Sequence, residues 1–150
     1  LNPFSWREQS VADRILDTSV LIQFWATKRP SPGYCPTQKE AAEWAADLIQ
    51  THGTRSLVTP VCIEMLAGCT NSDSLLATRA FLAAFEVVDD GSLSKETVVL
   101  ATSIAERIPH GGRRQDVRKR DLGDCLIRAL ADRHSRDVLT LDRGMPRSRS

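Results

Sequence analysis

Nothing in this chain reads as a membrane span, a zinc finger or a disulfide framework. Its four cysteines, Cys35, Cys62, Cys69 and Cys125, include no CxxC pair and no histidine at finger spacing, which argues against a structural zinc site. Free thiols suit a reducing cytosol. The longest apolar stretches fall far short of the ~18 residues a membrane helix needs. The opening LNPFSWREQSVADR holds no hydrophobic signal core, so a cytoplasmic protein with no membrane association is expected. Internal repeats and low-complexity tracts are lacking as well, and so is an overall excess of one charge, the net being +1.

What is present is an ordinary globular composition, with 41% hydrophobic and 26% charged residues. A chain of 150 residues is the usual size of one domain and buries roughly two thirds of its unfolded surface, enough for an unaided core. The near-neutral total hides an asymmetry. Residues 1–106 carry 8 Lys/Arg against 13 Asp/Glu, a net of −5, whereas 107–150 carry 12 against 6, a net of +6. The densest basic run, RRQDVRKR at 113–120, suits a face that meets a phosphate backbone, although a solvated basic loop has the same composition.

Elements alternate along the chain. ADRILD (12–17) reads as a short strand ending at an acid, and TSVLIQFWA as a buried helix after it. KRPSPGYCP (28–36) is a loop too short to separate domains. Thr37 and Glu40 form a capping box ahead of Ala41, Trp44, Ala45 and Leu48, with Gly53 as the stop. SLVT (56–59) is a β-rich run, after which Pro60 suits the first position of the helix VCIEMLAG. A helix over 73–85, with Leu75, Leu82 and Phe85 on one face, leads into a strand EVVD (86–89). Another helix, Lys95 to Arg107, has Ser94 as N-cap and Pro109 as terminator. DLGDCLIRALADRH is a helix with acids at its start, and DVLTLD (137–142) a last strand. This alternation predicts a parallel sheet covered on both sides.

In such sheets ligands bind beyond the carboxyl ends of the strands, near the point where strand order reverses. Asp17 and Asp142 each end a strand, Glu64 lies one turn into the helix after SLVT, and Asp124 opens the helix before the last strand. Carboxylates gathered within ~6 Å repel one another unless a cation compensates. Oxygen ligands with no accompanying His or Cys favour Mg2+ or Mn2+ over zinc. Such an ion, or a pair of them, activates water for phosphodiester cleavage. Each acid also has a plainer role open to it: Asp17 as a helix cap, Asp142 as a turn residue beside Gly144, Glu64 on an exposed stripe, Asp124 as an acid favouring the helix dipole with Asp121 as N-cap.

Taken in order, ILDTSVLIQFW, VTPVCIEMLAG, DLGDCLIRALA and VLTLDR resemble the successive signatures of the PIN-domain ribonucleases, above all the VapC-like toxins of bacterial toxin–antitoxin pairs. No one segment is specific; their order and spacing over about residues 13–143 carry the likeness. The resemblance implies a three-layer α/β/α sandwich around a central, mostly parallel sheet of four to five strands, formed by residues 13–150 after an N-terminal extension at 1–12. It implies catalytic and metal-binding roles for Asp17, Glu64, Asp124 and Asp142, with Asp121 as a reserve ligand and the hydroxyls of Thr18, Ser19 and Thr140 in support. It further implies a Mg2+-dependent (or Mn2+-dependent) endoribonuclease acting on single-stranded or tRNA-like RNA, often homodimeric and inhibited by a small antitoxin protein. Arg113, Arg114, Arg118, Lys119 and Arg120 are then candidates to hold the RNA backbone. The sequence departs from the pattern after Asp142, where RGMPRSRS replaces an apolar final segment.

Two kinds of alternative stand beside this reading. One is a PIN protein that processes RNA without being a toxin, or a non-catalytic module binding RNA or a partner. The other is a phosphotransferase with an aspartyl nucleophile, since Asp17-Thr18-Ser19 resembles the start of the haloacid-dehalogenase motif; position 19, however, is Ser where that motif has its second acid.

Overall fold

The computed structural model describes residues 13–107 and 122–141. Its elements in chain order are β1 (Ile15–Leu16), α1 (Thr18–Lys28), α2 (Gln38–His52), β2 (Ser56–Leu57), α3 (Thr59–Ala67), α4 (Ser72–Leu82), β3 (Glu86–Val87), α5 (Lys95–Glu106), α6 (Leu122–Arg133) and β4 (Val138–Leu139). The extension at 1–12, the basic run, Asp121, Asp142 and the tail after it lie outside the described residues.

The four strands form one sheet in the order β3-β2-β1-β4, every neighbouring pair parallel. The register is set at Ile15, which lies opposite Ser56 on one side and Val138 on the other. The chain steps outward from β1 through β2 to β3 and then returns to the other flank of β1. Strand order therefore reverses between β1 and β4, which makes their carboxyl ends the place where a ligand is expected. With six helices around it, the sheet forms the middle of a three-layer α/β/α sandwich.

Why these segments fold locally is legible in their ends. At α2, Thr37 Oγ1 accepts the Glu40 N–H at 3.1 Å while the Glu40 carboxylate accepts the Thr37 N–H, also at 3.1 Å, and Gly53 closes the helix at φ 71°. Ser94 caps α5 by accepting from Thr97 N–H. The cap of α3 comes from elsewhere in the chain: Val58 offers no side-chain acceptor, and the Thr59 N–H donates to Asp89 Oδ1 at 2.9 Å. Asp89, just beyond β3, thereby supplies one of the acceptors that the first turn of a helix lacks.

One core unites Ile15, Leu16, Val20 and Leu21 with Ala41, Trp44, Ala45 and Leu48 of α2, Leu57 and Val58, Val61, Ala77 and Phe81, and Ile127, Leu130 and Ala131 of α6. The other side of α6 joins α5 in a smaller cluster of Ala101, Ile104, Cys125 and Ala129.

Four described strands, all parallel, bear out the expected sandwich around a mostly parallel sheet of four to five strands, each strand being two residues long. Several local expectations need correction. Only the first half of α1 is buried, at Thr18, Val20 and Leu21, whereas Ile22 is 57% exposed. In α4 the buried face is Ala77, Thr78 and Phe81, and the helix stops at Leu82, leaving Phe85 to enter the core from the turn before β3. Thr59 precedes Pro60 in α3, so Pro60 is the second helical residue.

Leu48 is fully buried, and Leu48→Ala should lower unfolding free energy by about 2–5 kcal/mol in urea denaturation. Thr37→Ala, which removes the cap of α2 without opening a cavity, should cost about 1 kcal/mol.

Candidate functional site

Both strands at the point of reversal lead into polar residues whose side chains meet. Asp17 follows β1 and occupies the N-cap of α1, with φ −77° and ψ 156°. An Asp at that position ordinarily turns onto the first helical N–H groups. Asp17 makes no such bond. Its Oδ2 accepts Ser19 Oγ at 2.8 Å and Thr140 Oγ1 at 2.7 Å, the second reaching from the residue after β4. The Ser19 and Thr140 oxygens stand 3.3 Å apart, and with both protons directed at the carboxylate their contact holds no third bond. Ser19 Oγ also accepts the Leu141 N–H at 3.0 Å, so the first turn of α1 and the end of β4 are tied together.

The Asp17 residue is 3% exposed. A buried carboxylate needs bonds or a counter-charge. Both hydroxyls serve Oδ2, and among the described residues nothing donates to Oδ1. Thr18 Oγ1, on the next residue, is buried without a hydrogen-bond partner.

Glu64 stands in the second turn of α3 and is exposed. Asp124 is the third residue of α6 and 7% exposed. Helix α3, which carries Glu64, packs on both α1, which Asp17 precedes, and α6, which carries Asp124. One turn beyond Asp124, the buried Arg128 pairs with Asp132 at 3.7 Å.

A cleft of about 400 Å3 opens between α1, the loop after it, α3 and α4. Glu64 lines it, but neither Asp17 nor Asp124 does. On the opposite side stands Tyr34, whose hydroxyl donates to both oxygens of Glu40, each at 2.9 Å. The Thr37 N–H, and after it the Tyr34 hydroxyl, hold the Glu40 carboxyl below its usual range, and the same Glu40 bond pushes the Tyr34 phenol up. Cys62, next to the Glu64 turn, is pushed up by burial and secondly by the charge of Asp89.

A family model for the PIN domain matches residues 14–149. The chain belongs to the PIN-domain family. No curated protein and no solved structure shows significant similarity to it. PIN domains are generally metal-dependent nucleases, and the three-layer sandwich is their architecture.

Set against that family, the structure unites Asp17 with Ser19 and Thr140 by hydrogen bonds, while Thr18 makes none through its hydroxyl. Among the described residues of this PIN domain, no three His, Cys, Asp or Glu side chains are grouped to hold a metal. Asp121, Asp142, Arg113, Arg114, Arg118, Lys119 and Arg120 fall outside them. What is described nevertheless fits a hard divalent ion. Among the described residues Asp17 Oδ1 has no donor, the next residue carries an orphaned buried hydroxyl, and magnesium commonly takes one or two carboxylates and keeps its remaining waters. Sequence reasoning missed Asp89 and Arg128. Asp89 is an acid just past a strand, the same signal that singled out Asp17, and Arg128 is four residues from both Asp124 and Asp132 on one helical face.

Ser19→Ala removes a bond to a buried carboxylate, so a stability loss of about 1–3 kcal/mol is expected in urea denaturation. For Glu40, whose folded pKa is depressed, the stabilisation is present above the ordinary Glu value and lost as pH falls through the folded one. In Tyr34→Phe an NMR titration should find the Glu40 carboxyl moved only partway back, because the Thr37 N–H, the larger cause, remains.

Proposed function

We propose that this PIN domain is an endoribonuclease that hydrolyses RNA phosphodiester bonds with Mg2+ or Mn2+ held by Asp17, Glu64, Asp124 and Asp142. The observation that carries the reading is the Asp17 carboxylate itself. It is buried where strand order reverses, caps no backbone N–H of α1, and among the described residues is held by the hydroxyls of Ser19 and Thr140 through one oxygen. A residue needed merely to start α1 would cap it. Bound divalent ions supply positive charge for the phosphate and lower the pKa of a coordinated water.

The chain's own residues have separable tasks. Ser19 and Thr140 fix the orientation of the Asp17 carboxylate through Oδ2, and Oδ1 would serve a divalent ion. Glu64 and Asp124 bring further negative charge from α3 and α6, and Asp142 and the reserve ligand Asp121 extend the set. Arg113, Arg114, Arg118, Lys119 and Arg120 hold the RNA backbone, and cleavage accordingly weakens as salt is added. In the fuller form of this proposal the protein is the toxin of a toxin–antitoxin pair. It then works as a cytoplasmic homodimer on RNA such as tRNA and is silenced by a cognate antitoxin. No helix among the described residues is long and apolar enough to cross a membrane.

A non-catalytic RNA-binding module is the second reading, favoured by the lack of three grouped ligands among the described residues. One assay separates them. With Mg2+ and single-stranded RNA, Asp17→Asn should cut at least about a hundredfold more slowly than wild type, of the order seen when one preorganised electrostatic group is removed. Chelation by EDTA should stop wild-type cleavage, and added Mg2+ or Mn2+ should restore it. Equal rates for Asp17→Asn and wild type would sink the nuclease assignment, and RNA binding without any turnover would favour the module.

A further inference from the structure

The cleft beside Glu64 is separate from the Asp17 carboxylate at the sheet edge, which does not line it. We propose that it receives one unstacked base of a single-stranded RNA whose backbone runs past Glu64 toward the acids, an inference that rests on the nuclease reading for the direction of the strand.

Three features favour a base over an aliphatic side chain. The first is a fixed aromatic lining. Trp25 is held edge-on by Trp44 at 5.3 Å and by Phe81 at 5.1 Å, and Tyr34 lies against the same Trp44 at 6.5 Å while its hydroxyl is anchored on Glu40. Rings already immobilised in the core lose little entropy when a planar ligand is laid against them. The second is a polar rim with unused capacity. Asn71 spends Oδ1 on the Ser74 N–H, and among the described residues neither its side-chain NH2 nor the Thr70 hydroxyl has a partner. An apolar face combined with a hydrogen-bonding edge is what a nucleobase presents. The third is Arg29 at the cleft, an exposed guanidinium with no carboxylate partner among the described residues. It stands in the stretch 1–106 that carries net negative charge, and a guanidinium without a carboxylate partner there is suited to a phosphate. The volume of about 400 Å3 lies within the usual range for pockets that hold small molecules.

The test uses the full chain and a short single-stranded RNA in which one abasic nucleotide is walked across the scissile position. One position should lose roughly tenfold in kcat/KM with wild-type protein, the scale of one base stacked on an aromatic surface. Thr70→Trp, an exposed rim residue replaced by one that fills the cleft, and Arg29→Gln should each raise KM more than they lower kcat. Thr70→Trp should also abolish the additional penalty of the critical abasic position. The same oligonucleotides are titrated by fluorescence anisotropy in EDTA, where hydrolysis plays no part. Weaker binding by Thr70→Trp and Arg29→Gln supports the cleft even if wild type cleaves nothing, an outcome that would count against the nuclease reading alone. If abasic substitution has the same effect at every position, or if both variants bind and cut like wild type, the base pocket is overturned, whatever Asp17→Asn does. That result would leave a peptide partner as the occupant to seek.

Discussion

A single carboxylate oxygen joins the two halves of this fold. Asp17 Oδ2 receives hydroxyls from the first turn of α1 and from the residue after β4, elements that open and close the described chain. The sheet makes this possible, since Ile15 N–H donates to Asp137 O at 2.8 Å and Asp17 N–H to Leu139 O at 2.9 Å, fixing β4 alongside β1 just below the junction. Bonds to a charged group that is kept from water are stronger than those at the surface. The arrangement therefore secures the last strand and orients the candidate catalytic group together. The arrangement is asymmetric: both hydroxyls bond one oxygen, and no donor among the described residues reaches the other.

The rest of the structure supports that edge at one remove. Asp89 anchors the start of α3 and so fixes where Glu64 is carried. The Arg128–Asp132 pair lies within α6 on the side chain rows that follow Asp124. Trp44, Trp25 and Phe81 form a continuous aromatic contact between α1, α2 and α4, and the Tyr34–Glu40 bond fastens the Pro/Gly loop to it. An aromatic wall thus faces Glu64 across the cleft, while Asp17 sits at the end of β1. The cleft and the Asp17 junction both draw on α1, through Trp25 and Ser19.

Much of the scaffold was visible in local patterns. The capping box of Thr37 and Glu40, the Ser94 cap and the Gly53 stop act over three or four residues, and each appears where those residues call for it. The buried face of α4 was less visible, because Leu75, Leu82 and Phe85 offered a plausible stripe while packing against α2 selected Ala77, Thr78 and Phe81. Helix–helix contact prefers small residues where axes approach closely, and periodicity alone does not say which face is approached. The cap that Asp89 gives to Thr59 was hidden for a related reason, since its partner lies 30 residues away.

The sequence by itself determined the alternation of strands and helices, the helix ends and the positions of acids just past the strands. All of these follow from backbone preference and side-chain spacing over a few residues. Only the tertiary structure decided that β4 lies beside β1, that Asp17 bonds Thr140 as well as Ser19 of its own helix, and that Tyr34 and Trp25 line a cleft with Glu64. Partners 123 residues apart meet through sheet order and core packing, and no local rule in the chain specifies that meeting.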